Sequence, residues 1–225
     1  MKKTDVLVIG GSAAGIVAAT TGKTFYPDKD FLLLRKEKDV MVPCGIPYIF
    51  GTLEDSGQNV IPDAALTSAG VALKIDEAVS VDQEKKIYTT ADGTQIAFDK
   101  LVFATGSKPA VPAWLKGADL ENVFIIPKDK AYLDQFREKL KKFKKIVILG
   151  GGFIGVEVAD GLNKTNKEIT IVEMLPYVLN LAFDEELAAA AQECLVERGV
   201  SVRSRCRVKE LVGNGKVSDV ILSDG

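Results

Sequence analysis

The sequence of 225 residues contains no histidine. The commonest general base and the commonest metal ligand are therefore missing from it. Cysteine is scarce too. Cys44, Cys194 and Cys206 are an odd set at wide spacing, with no C-x-x-C pair among them. That pattern excludes a disulfide framework and gives no zinc cluster, so we expect a reducing, cytoplasmic setting and no metal. Positive charge is not in excess: 29 Lys and Arg face 31 Asp and Glu, for a net charge of −2. This balance speaks against a nucleic-acid partner. The densest basic run, KLKKFKK from Lys139 to Lys145, precedes an apolar strand and reads as solvation of a helix end. Long hydrophobic runs are lacking. The opening MKKTD leads straight into VLVIG, which is too short for a secretory or membrane segment, so no membrane partner is expected.

What is present is a globular composition, 47% hydrophobic and 27% charged, long enough for one large domain or two smaller ones. One feature occurs twice. In DVLVIGGSAAGIVAATTGKTF, the apolar run Val6 to Ile9 reads as a buried parallel strand. Gly10, Gly11, Ser12 and Gly15 follow, then an alanine-rich helix and the next strand, FLLL, Phe31 to Leu34. In KKIVILGGGFIGVEVADGL, the strand Ile146 to Leu149 leads into Gly150, Gly152 and Gly155, a complete G-x-G-x-x-G. A helix and the strand EITIVE come next, closed by Glu173, 23 residues after Gly150.

Each glycine has a physical task. The first permits the tight strand-to-helix turn, the second lets a pyrophosphate approach the backbone, and the third lets helix and strand pack closely. The helix N-terminus then offers free N–H groups and partial positive charge to the phosphates. A glycine turn in some other α/β sheet is the alternative for either copy. Glu173 stands where a carboxylate accepts hydrogen bonds from ribose hydroxyls and repels a 2′-phosphate, and no arginine follows in EMLPY; both favour NADH over NADPH. In the first copy Ser12 replaces the middle glycine. Arg35 stands in place of the ribose-binding acid, with Glu37 two residues on.

Between the copies, Lys74 to Val81 reads as one strand. The stretch from Lys85 reads as a β-hairpin closed by Asp92-Gly93, then a strand ending in Ala104-Thr105-Gly106. Helices are expected over Lys130 to Lys142 and Glu185 to Arg198, and strands near Ser201 to Val208 and Val217 to Leu222. Cys44, in MVPCGIPYIF, permits two readings. It is a small buried hydrophobe, or a redox thiol at the start of a helix, where the dipole favours the thiolate. Pro47 is compatible with the first turn of such a helix. Cys194 and Cys206 read as core filler.

Three motifs, VIGGSAAG, FDKLVFATGSKP and ILGGGFIGVEVA, occur in an order that resembles the pyridine nucleotide-disulfide oxidoreductases with two dinucleotide-binding domains. The resemblance covers essentially the whole chain. It implies an α/β fold of tandem Rossmann-like domains, the three-layer FAD/NAD(P)-binding fold, with residues 1–112 as the FAD-binding domain and 113–225 as the NAD-binding domain. It implies that Gly10, Gly11, Ser12, Ala14 and Gly15 hold the FAD pyrophosphate. Ala104, Thr105 and Gly106 would make a second flavin contact, and Ala78 would touch the adenine through its backbone. Arg35, Lys36 and Pro43 are further candidate FAD contacts. Gly150, Gly152, Ile154, Gly155 and Glu173 would hold NADH, with Phe153 as an aromatic gate and Glu157 near the nicotinamide.

PCGIPY is similar to the single-cysteine branch, the coenzyme A-disulfide reductases and NADH oxidases. Glutathione-reductase-like members carry a second cysteine, but here Ile49 and Asp39 stand five residues either side of Cys44. The histidine of NADH peroxidase-like members is absent from the first glycine loop. The expected activity is transfer of electrons from NADH via flavin to Cys44, then to a small disulfide or persulfide, with Tyr48 lining the substrate channel. Reduction of oxygen through a sulfenic acid is the neighbouring alternative. A flavoprotein that passes electrons to a protein partner is the more distant one. Members of the family continue past this point with a Gly-Asp motif and a C-terminal dimerisation domain. The chain is therefore expected to be the N-terminal portion of a homodimeric protein, with turnover a property of the full length.

Overall fold

A parallel strand with apolar side chains on both faces needs a layer over each. In the computed structural model, which describes residues 2–225, β1 (Lys2–Ile9) has such cover: Leu7 and Val8 are fully buried. The chain forms two compact units. The first takes in the residues up to Cys44, Asn59–Lys108 and Lys128–Lys130; the second takes in Gly45–Gln58, Pro109–Pro127 and Ala131–Gly225. Residues 45–58, early in the chain, thus belong to the second unit.

In the first unit, β1 is followed by α1 (Ala13–Phe25), β2 (Phe31–Arg35), α2 (Ala64–Ser68), β3 (Ala72–Ile75), β4 (Ala78–Asp82), β5 (Ile87–Thr90) and β6 (Gln95–Phe103). They build a six-stranded sheet in the order β3-β2-β1-β6-β5-β4. β1 pairs in parallel with β2 and with β6, placing Val8 between Leu33 and Val102. β5 and β4 add an antiparallel edge, and the Asp92-Gly93 turn joins β5 to β6 as expected, with Gly93 at φ +81°. One apolar layer, Val8, Ile16, Ala19, Phe31, Leu33, Leu66 and Val71, lies where α1 and α2 meet the sheet. The other contains Leu7, Ile9, Leu34, Tyr88, Ile96 and Phe98. Each large side chain so buried contributes about 1.5–3 kcal/mol.

The single strand expected over Lys74 to Val81 is two strands. The Asp76 carboxylate accepts the Glu77 N–H (2.8 Å) and pairs with Lys74 (3.1 Å). This local turn ends β3, which lies along β2, before β4 starts along β5.

In the second unit, α3 (Lys130–Leu140) leads to β7 (Lys145–Leu149), α4 (Phe153–Asn163), β8 (Glu168–Val172), α5 (Glu185–Glu197) and β9 (Ser201–Arg203). The strands form a parallel sheet in the order β7-β8-β9. β10 (Val208–Val212) and β11 (Asp219–Leu222) form a separate antiparallel pair. The one strand expected near Ser201 to Val208 is interrupted, because Arg205 adopts φ +56° and turns the chain. Cys206 is buried as expected. Cys194 is not core filler: it is exposed, since α5 turns Ala188 and Leu195 inward and Cys194 away from them. Among the described residues no helix is long and apolar enough to cross a membrane.

Candidate functional site

The two glycine loops have nearly the same backbone. Gly10 adopts φ +110° and donates its N–H to Leu34 O at 2.8 Å. Gly150 adopts φ +99° and donates to Val172 O at 2.9 Å. A Cβ on Gly15 would lie 1.8 Å from Gly10 O, and one on Gly155 would lie 2.0 Å from Gly150 O. Each helix therefore starts closer to its own loop than any residue with a side chain permits. Both helices open without a side-chain cap. The first N–H groups of α1 and α4 have no carbonyl within their own helix and point out of its end.

In the first unit the loop abuts the end of β6: a Cβ on Gly10 would come within 2.1 Å of Ala104 O. This brings the predicted Gly10–Gly15 and Ala104–Gly106 groups together. Ser12 is the N-cap of α1, and its buried Oγ has no hydrogen-bond partner. An unpartnered hydroxyl beside free N–H groups and a backbone cradle fits the phosphates of a dinucleotide. Ala14 and Thr105 are exposed beside it. Lys128 was missed in the sequence. Its Nζ donates to Ser107 Oγ at 2.9 Å, next to Gly106, and only long-range packing reveals it.

The end of β2, where the sequence leads one to expect a ribose-binding acid, is different. Arg35 is buried and fully engaged: its Nε donates to Glu37 O at 2.9 Å and its Nη2 to Lys38 O at 2.7 Å. Asp63 clamps the guanidinium at 2.6 and 3.0 Å. It fills the space behind Gly11, whose Cβ would lie 2.3 Å from Arg35 Cδ. Arg35 thus offers no carboxylate of its own; Glu37, two residues on, is exposed. Lys36 is exposed and pairs with Glu77 at 3.1 Å, and Ala78 pairs through its backbone with Thr90 at the start of β4.

Cys44 is exposed in a three-residue 3-10 turn, Pro43–Gly45. The chain before it is clamped to residues 59–61, through Val42 N–H to Asn59 O (2.9 Å), Asn59 Nδ2 to Val42 O (3.0 Å) and Ile61 N–H to Val40 O (2.7 Å). The helix expected after Cys44 does not form. Pro47–Phe50 is a second 3-10 turn, which ends at Gly51. Such short turns align too few peptide units to build a helix dipole, so that argument for the thiolate falls away. Gly51 instead packs against α4, where a Cβ would lie 1.8 Å from Gly161 O.

In the second unit the carboxylate of Glu173 is buried behind the loop. Its Oε2 accepts the Gly151 N–H at 2.6 Å and its Oε1 the Leu175 N–H at 2.8 Å. Around Gly150 and Gly152 there is open space, with nothing within 4 Å of an added Cβ. That room, the exposed helix start and a carboxylate at the end of β8 fit a dinucleotide. Phe153 and Ile154 are exposed on the first turn of α4, and Phe153 meets Phe183 edge-on at 5.9 Å. Glu157 and Tyr48 share a shallow cavity of about 240 Å³, with Pro47, Val156, Asp160 and Lys164 around it. Burial alone would raise the Asp160 carboxyl, but hydrogen bonds from Lys164 and Arg198 hold it below the ordinary range.

Comparison with known proteins adds a second line of evidence. The profile of the pyridine nucleotide-disulphide oxidoreductases matches residues 4–225. The chain is 32% identical, over its whole length, to an NAD(P)H sulfur oxidoreductase (CoA-dependent) of Pyrococcus abyssi, of which it covers 51%. It is 29% identical over 96% of its length to an NADH oxidase of Enterococcus faecalis, covering 50% of that protein. Among solved structures, an NAD-dependent persulfide reductase from A. fulgidus superposes with a TM-score of 0.88 at 27% identity, over 98% of this chain and 43% of the other. The chain thus spans about half the length of the curated relatives it matches. With the tandem strand–glycine–helix units and a family match that runs through both of them, the chain belongs to the pyridine nucleotide-disulphide oxidoreductase family.

Proposed function

We propose that this protein is the nucleotide-handling part of an FAD-dependent NADH oxidoreductase whose electrons pass to Cys44 and then to a small disulfide or persulfide of the coenzyme A disulfide class. The observation that carries this reading is the pair of matched glycine loops, one in each unit, in a chain with an exposed cysteine between them. In the first unit the loop of Gly10, Ser12 and Gly15 holds the FAD phosphates by backbone N–H groups and the Ser12 hydroxyl, beside Ala104–Gly106. In the second unit Gly150–Gly155 holds the phosphates of NADH, and Glu173 fixes the loop and faces the ribose. Bound flavin supplies the two-electron relay between nicotinamide and sulfur.

Cys44 acts as the thiolate. It attacks one sulfur of the substrate disulfide, so that a Cys44–S–S–R bond forms, the substrate S–S bond breaks and one thiolate leaves. NADH provides the two electrons that cleave this mixed disulfide, and a proton accompanies release of the second thiol. The names of the Pyrococcus abyssi and A. fulgidus relatives support sulfur or persulfide as the acceptor class. The Enterococcus faecalis relative supports a second reading, oxygen reduction with Cys44 cycling through a sulfenic acid.

Mass spectrometry after exposure to coenzyme A disulfide separates the readings. A mixed disulfide is expected on Cys44, with exposed Cys194 as the internal comparison, and Cys44→Ser removes it. Equal labelling of both cysteines overturns the redox role of Cys44. A sulfenic acid on Cys44 without any mixed disulfide selects the oxidase reading.

A further inference from the structure

The segment after Glu173 turns back onto the second glycine loop. Val178 is fully buried, packs behind Gly151 and donates its N–H to Gln192 Oε1 at 3.3 Å. Leu179 then donates its N–H to Gly151 O at 2.7 Å. It does so from φ +58°, a left-handed position that a bulky residue seldom takes and that glycine or asparagine takes more easily. Its own carbonyl accepts the N–H groups of Ala182 and Phe183, at 2.9 and 3.1 Å, so the turn is held from both sides. A strained residue persists only where its surroundings fix it, and such residues gather at ligand sites.

We infer that Leu179 is a positioning residue: its N–H holds the Gly151 carbonyl back and thereby aims the Gly152 N–H at the phosphates of the nucleotide. This rests on the second loop binding a nicotinamide dinucleotide, as proposed above. The carbonyl and the N–H of a trans peptide such as this one point in opposite directions. With Gly151 O drawn toward Leu179, Gly152 N–H faces the other way. It meets no acceptor among the described residues, and the space around Gly152 is open. The peptide lies between two glycines, which leave it free to turn over. Turned over, it would present an oxygen to the phosphates in place of a hydrogen. Gly151 N–H is already taken by Glu173 at 2.6 Å, so both polar groups of this glycine are fixed. The first loop is built otherwise. No hydrogen bond reaches Gly11 O among the described residues, and in the place of Gly152 stands Ser12, whose unpartnered hydroxyl is itself a donor.

Titration with ADP and with adenosine, which differ only in the diphosphate, tests this when followed by NMR at the Gly152 amide. ADP is expected to bind the more tightly and to move the Gly152 resonance, which adenosine leaves in place. Leu179→Val puts a β-branched residue where the left-handed backbone disfavours it, and lowers the ratio of the two affinities about tenfold, the loss of one hydrogen bond. Leu179→Gly removes more of the side chain but keeps the turn, and lowers the ratio less. A role in side-chain packing alone gives the opposite order. That opposite order, an unaltered ratio in Leu179→Val, equal affinity for ADP and adenosine, or binding of ADP without a change at Gly152 overturns the role of Leu179 and leaves the nucleotide site intact. The Gly152 resonance needs only the unaltered chain, so it decides the matter even where Leu179→Val fails to fold. Binding of neither ligand overturns the nucleotide reading of the second unit and this inference with it.

Discussion

Gly10 and Gly150 make the same turn, donate to the same place on the neighbouring strand and are roofed by a third glycine in the same way. Behind the second glycine the loops part company. Gly11 backs onto the aliphatic part of Arg35, and Gly151 onto Val178 and the Glu173 carboxylate. The strands that feed the loops differ as well. Leu7 and Val8 in β1 are fully buried between β2 and β6, whereas Val147 and Leu149 in β7, an edge strand, stay about two-fifths exposed. The backbone of the glycine loop is thus set by sequence within about six residues, while what lies behind the second glycine and the cover of the strand depend on distant parts of the chain.

The largest break in this likeness comes from substituting the first glycine. Gly10→Ala puts a Cβ 2.1 Å from Ala104 O as well as at φ +110°, and is expected to cost about 3 kcal/mol or more. Gly150→Ala meets no atom within 4 Å and bears only the backbone strain, about 1–2 kcal/mol. Urea unfolding, followed by hydrogen exchange in each unit, measures both; equal costs would show that the end of β6 does not crowd the first loop.

Removing the partner of Arg35 sharpens the contrast at the ribose end. Asp63→Ala leaves a guanidinium whose side chain is 1% exposed without its counter-ion. The cost is about 2 kcal/mol, below that of a fully buried pair because the Asp63 side chain is 44% exposed. A shift in the urea midpoint of the first unit below a quarter of that would show that the carbonyls of Glu37 and Lys38 suffice to hold Arg35.

The smallest effect is in pH dependence. In the first unit Lys74, then the hydroxyls of Thr94 and Thr90, holds the Asp92 carboxyl far below its usual 3.8. A carboxyl lowered on folding adds stability above the unfolded pKa and loses it as pH falls through the folded one. The hairpin should therefore weaken below about pH 4. Asp92→Asn removes that dependence from β5 and β6. It leaves the dependence due to Asp160, which Lys164 and Arg198 hold below the usual range in the second unit. Hydrogen exchange as a function of pH reads the two separately, and an unaltered acid response of β5 and β6 in Asp92→Asn would place their acid sensitivity elsewhere.

What the sequence made legible is local. The strand–glycine–helix order, the third glycine of each loop and the Asp92-Gly93 turn follow from residues that touch their own neighbours. The part that was not legible depends on contacts at long range. Pro47–Phe50 has the composition of a helix start, but Gly51 must lie against the Gly161 carbonyl, and the turn stops there. Arg35 shows its partner only when Asp63, 28 residues later, arrives beside it. Lys128 reaches Ser107, beside Gly106, from a segment further on, and no spacing in the chain announces it.

The Arg35–Asp63 clamp also constrains how this chain could change. An acid at position 35, the residue type that faces a ribose, would set two carboxylates against each other where the present side chain has almost no access to water. Neutralising position 63 first strands the arginine. Each single step is less stable than either end point, so the two positions form a barrier that only a paired exchange crosses.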